Sequence, residues 1–180
     1  MNWLSRFPDK KSIVNVFATS AFIVYGWTII SSFWKIPSWM YYLKTSEIIA
    51  AYAYSFLMNF LESSLLTLSL IFLGFILSGI LWKGYFSAAS VVVLIVSVGS
   101  ALLHMHLYED PNLRADFLDS QLRWWLTTFF IAFVVSTICV RVPWLRKILD
   151  ILADRFVVFL YIYIPLTLFS LVIALARTVF

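Results

Sequence analysis

The 35 residues from Ile48 to Trp82, IIAAYAYSFLMNFLESSLLTLSLIFLGFILSGILW, carry one charged side chain, Glu62. A membrane-spanning helix needs about 20 predominantly apolar residues. As one helix this stretch is about 52 Å long at 1.5 Å per residue, against a hydrocarbon core of about 30 Å. It is too long for one crossing and too short for two. The reading that fits is one long helix whose first turns, with Tyr52 and Tyr54, lie at or beyond the interface, leaving about 55–82 as the span.

The rest of the chain agrees. Of its 180 residues, 63% are hydrophobic, 19% aromatic and 12% charged. Soluble domains hold about 45–50% apolar and about 25% charged residues. A surplus of this size cannot be buried within a small globule, so the lipid bilayer is the expected surroundings. Four further runs, about 13–34, 87–107, 124–140 and 156–176, are long and apolar enough for spans or nearly so. The predicted fold is an all-α polytopic bundle of about five transmembrane helices, a single membrane domain over 1–180. The fourth run has only 17 residues between Arg123 and Arg141, so four crossings plus an interfacial segment is the alternative. The first run is longer than the roughly 7–15 apolar residues of a secretory signal and reads as a retained span.

Lysine and arginine set the orientation. With the N-terminus inside, Arg6, Lys10, Lys11, Lys83, Arg141, Arg146, Lys147 and Arg155 lie inside, and Lys35, Lys44, Arg114, Arg123 and Arg177 outside. Eight against five predicts N-in, C-out in a plasma (inner) membrane. Two segments read as interfacial. In 35–54, Trp39, Tyr41 and Tyr42 suit headgroup level. In 143–155, Leu145, Ile148, Leu149 and Leu152 form one helical face against Arg146, Lys147, Asp150 and Asp154. Pro143 suits the first turn of that amphipathic, inner-face helix. Arg146, Lys147 and Asp150 are its candidate partner-docking residues.

The pI near 9.3 does not imply nucleic acid, because the basic residues are spread along the loops without a dense patch. The single cysteine, Cys139, excludes an internal disulfide and a cysteine metal cluster. No nucleophile elbow, HExxH, Walker loop or comparable motif occurs, so no enzymatic activity is predicted.

Chemically active residues concentrate in HMHLYEDPNLRADFLD, 104–119. His104, His106 and Asp110 are the metal candidates there. On a helix the two histidines point about 200° apart, so only an extended segment aims both at one ion. Asp110-Pro111 reads instead as a helix start, and Asp119–Arg123 as an i, i+4 pair. No cofactor is predicted; a metal or haem shared with another subunit is the alternative.

Glu62 is the other chemical feature, because ionisable groups at membrane depth are expensive and often functional. It belongs to a polar and small-residue stripe with Ser55, Asn59, Ser63, Thr67, Gly74 and Ser78. The stripe reads as a helix-packing seam or as the lining of a proton or cation path. Asn15 and Thr19 form a second polar patch, and Pro165 is predicted to kink the fifth helix. The function expected is a non-catalytic subunit packing against partner membrane proteins. The alternatives are a small homo-oligomeric channel or transporter with a polar path near Glu62, and an outer-face enzyme or metal site at 104–119.

Overall fold

Backbone N–H and C=O groups in apolar surroundings must be satisfied within their own segment, which favours helix throughout. The computed structural model describes residues 8–77, 85–107 and 114–179, with the side chains of Leu77, His106, 114–119, Thr178 and Val179 outside the description. Of these residues 96% are helical. They form α1 (Lys10–Tyr42), α2 (Thr45–Leu77), α3 (Phe86–Leu107), α4 (Arg114–Arg141) and α5 (Pro143–Val179). All five are long and apolar enough to cross a membrane.

Local chemistry sets the helix ends. Ser12 donates to the Asp9 carboxylate at 2.5 Å ahead of α1, a bond that holds the Asp9 carboxyl below its usual range. At the start of α2 the Glu47 carboxylate reaches back to the Lys44 backbone N–H at 2.8 Å, half of a capping box. Between α4 and α5 only Val142 is non-helical. It precedes Pro143, whose ring disfavours helical geometry in the residue before it. Pro143 then takes the first helical position, where its missing N–H costs nothing.

Two boundaries differ from the sequence-based expectation. Residues 35–42 do not form a separate element but continue α1 through Pro37. The carbonyl that Pro37 frees belongs to Phe33, and both residues are exposed, so the lost bond strands no buried group. Likewise the amphipathic segment 143–155 is the first part of α5 rather than a helix of its own. No glycine or proline stands between Pro143 and Pro165 to stop it.

The chain divides into two compact units. In the unit formed by Asp9–Leu73 and Ala153 onward, α1 and α2 make an antiparallel hairpin. Tyr25 stacks near-parallel with Phe56 at 5.8 Å, and Trp39 meets Tyr52 edge-on at 5.9 Å. α1 and α5 run parallel, since Asn15 meets Asp154, Phe22 meets Phe156 and Tyr25 meets Tyr163. Ala18 and Ala21, both buried, let the helices approach, and Tyr25 fills the centre. Its hydroxyl satisfies itself on the Phe56 carbonyl at 3.1 Å and on the Thr167 hydroxyl.

In the unit 74–152, α3 and α4 form a second antiparallel hairpin. The Trp124 indole N–H donates to Ser100 Oγ at 2.9 Å, and Ser100 bonds Thr128 at 2.5 Å. Gly74 packs directly on Phe86: a Cβ there would fall 2.6 Å from the ring.

Candidate functional site in the α1–α2 cleft

The polar stripe of α2 splits in two. Asn59, Ser63 and Thr67 are buried within the chain, whereas Glu62 is exposed. Adjacent helical residues point about 100° apart, so one can face the interior while its neighbour looks out. The Ser63 hydroxyl donates to the Asn59 carbonyl at 2.7 Å and Thr67 to that of Ser63 at 2.8 Å. These two hydroxyls act as packing groups, satisfied by their own helix.

Asn59 is different. Its side-chain oxygen accepts from Thr28 on α1 at 3.0 Å, while its Nδ2 has no partner among the described residues although the residue is only 5% exposed. It lies in an open cleft of about 540 Å3 between α1 and α2, lined also by Trp27, Thr28, Lys35, Tyr54 and Glu62. The hydroxyl protons around it are committed: Ser31 and Ser32 donate to the Thr28 carbonyl and Ser55 to that of Ala51. The side-chain oxygens therefore present lone pairs to the cleft. Glu62 adds a carboxylate that takes no hydrogen bond or ion pair among the described residues.

The hairpin fixes the level of Glu62. Thr28 faces Asn59 and Tyr25 stacks on Phe56, so Glu62, three residues past Asn59 and six past Phe56 along α2, lies between the levels of Tyr25 and Thr19. Tyr25 is close to the middle of the apolar run Ile13–Trp34. The carboxylate is thus about mid-run, not at its rim.

Sequence reasoning missed the α1 wall. Thr28, Ser31, Ser32, Lys35 and Trp39 recur at helical spacing, a signal as regular as the stripe on α2 but carrying no acid. The polar patch of the first span is structural: Thr19 donates to the Asn15 carbonyl, and the Asn15 amide donates to Asp154 at 2.8 Å. Lys11 pairs with the same carboxylate at 3.1 Å. Asp154 precedes the apolar run 156–176, and the Asn15 amide, with Lys11 beside it, holds its carboxyl below the usual range.

The other candidates are placed as follows. His104 is buried, its ring stacked on Trp124 at 4.6 Å, with Nε2 3.4 Å from Ser120 Oγ. Asp110 and the His106 side chain lie outside the described residues, and no group of three potential ligands gathers among those described. Arg146 lies over the Tyr85 ring at 4.3 Å, so it already serves a contact within the chain. Lys147 is exposed and Asp150 half-buried. No family model, curated protein or solved structure matches this chain.

Proposed function

We propose that the chain is a non-catalytic, multi-pass subunit of the plasma membrane, N-in and C-out, that packs against partner membrane proteins in a larger complex. The observation that carries this reading is Glu62: an exposed, unpaired carboxylate at the middle of an apolar run, beside an amide with an unpartnered end. In a bilayer, an ionisable side chain at that depth is costly by about 2.5–3.5 kcal/mol on insertion scales and far more in some simulations. Lipid offers it nothing, so a polypeptide covering the cleft is the economical solution.

Two features support insertion with five crossings. The outward faces carry large apolar side chains such as Phe33, Phe72 and Phe169, each about two-thirds exposed, which suit acyl chains and not water. The parallel course of α1 and α5 requires an even number of reversals between them; five crossings supply four, whereas four crossings supply three.

The test is the composition of the tagged chain extracted gently from its own membrane. A complex with other polypeptides in fixed ratio is expected. A lone chain of 20.8 kDa rejects the proposal. The second reading, a homo-oligomeric channel or transporter with Glu62 and Asn59 along its path, draws on the polar cleft and predicts a small multiple of that mass, with flux lost in Glu62→Gln.

A further inference from the structure

The cleft also indicates what its occupant must bring, and this inference rests on the proposal that a partner protein covers it. Around Glu62 the cleft lining combines hydroxyl and carboxylate acceptors with the indole N–H groups of Trp27 and Trp39 and the Tyr54 hydroxyl. The hydroxyl protons of Thr28, Ser32 and Ser55 are already donated, to Asn59 Oδ1 and to the backbone carbonyls of Thr28 and Ala51. Their oxygens keep lone pairs, and the Glu62 carboxylate brings two more acceptor atoms. Two further donors stand apart from this group. One is Asn59 Nδ2, buried and unpartnered. The other is Lys35, about 15 Å or more further along α1 than the level of Glu62 at 1.5 Å per residue, where a long side chain reaches the headgroups.

The negative charge of Glu62, with the acceptor oxygens beside it, favours an occupant with a positive charge and several N–H donors. Of the natural side chains, arginine supplies five donors and lysine three, each with that charge. The flanks of the patch are apolar: Met58, Leu61 and Leu65 are each more than half exposed and recur at three- and four-residue steps beside Glu62. That spacing presents an apolar ridge of about two turns for another helix to pack on. We therefore infer that the occupant is a transmembrane helix of a different polypeptide carrying one arginine or lysine at the depth of Glu62. Its cation pairs with the carboxylate. Neither charge crosses the bilayer core alone, so each helix makes the other's position tolerable.

The experiment uses the full chain in its native membrane with a photo-crosslinking residue in place of Met58. The adduct is digested and sequenced. It is repeated on Glu62→Gln and Glu62→Asp backgrounds, whose fold is checked by thermal unfolding after purification. The expected adduct is an apolar segment of about 20 residues holding one Arg or Lys. Its yield should fall roughly tenfold or more in Glu62→Gln, in line with losing one partner of a desolvated charge pair, and should persist in Glu62→Asp. An adduct lacking a basic residue, an adduct with a second copy of this chain, a lipid adduct, or an undiminished yield in Glu62→Gln overturns the inference. An adduct of the first kind, or an undiminished yield, leaves the partner-packing proposal standing. Purification of the wild type as a lone chain removes both.

Discussion

The Thr28 hydroxyl on α1 donates to the Asn59 side-chain oxygen on α2 at 3.0 Å. Together with the Tyr25–Phe56 and Trp39–Tyr52 ring contacts, this bond sets the register of the first hairpin, and with it the level of Glu62. It also leaves the other end of the Asn59 amide buried without a partner among the described residues.

Removing the Thr28 hydroxyl while keeping its shape, Thr28→Val, leaves a buried amide with neither end paired. A loss of about 1–3 kcal/mol is expected, read as a lower unfolding temperature in detergent. Adding Asn59→Leu should recover much of it, since replacing both partners by apolar groups is nearly neutral.

Tyr25 combines packing with two polar contacts. Tyr25→Phe removes only the hydroxyl that meets Phe56 and Thr167 and should cost about 1 kcal/mol. Tyr25→Ala removes a fully buried ring stacked on Phe56 and Tyr163 and should cost about 3–5 kcal/mol. The ratio of the two losses, measured by denaturation in detergent, checks that packing dominates.

Gly74 leaves no room for a side chain against Phe86. Gly74→Ala forces the ring to move, and Gly74→Val should destabilise more, by about 1–3 kcal/mol. Gly99→Ala, where a Cβ would meet nothing within 4 Å, serves as the control and should leave the unfolding temperature unchanged or raised.

Asp154 predicts a pH dependence. Its carboxyl is held below the ordinary range by Asn15 and Lys11, so its contribution is present above the unfolded-state value near 4 and is lost as pH falls through the lower folded-state value. The stability difference between wild type and Asp154→Asn should therefore be largest near neutral pH and shrink in acid. Because Lys11 is 72% exposed and Asp154 47%, the difference should stay below about 1 kcal/mol.

How much was legible in the sequence depended on the range of the interaction that decides each feature. The single long α2 followed from the apolar run Ile48–Trp82, and the start of α5 from Pro143, because run length and a missing N–H act locally. The continuity of α1 past Pro37 was not legible, since it depends on whether the freed Phe33 carbonyl is exposed. The contact between Asn15 and Asp154, 139 positions apart, depends on how α1 and α5 lie side by side, which no local pattern encodes. For the same reason the stripe on α2 was visible, but not that Ser63 turns inward while Glu62 turns out. His104 looked like a ligand because histidine can be one; its burial against Trp124 is set by the α3–α4 register.

The most direct test asks what covers the cleft. A spin label at Met58→Cys, in a Cys139→Ala background, is placed in the gently extracted complex and returned to vesicles with its subunits together. Protein coverage predicts low collision rates with both oxygen, which concentrates in lipid, and a water-soluble nickel reagent. A high oxygen rate would show that the Glu62 face looks onto lipid, and a high nickel rate that it lines a water-filled path; either would contradict partner packing at this cleft.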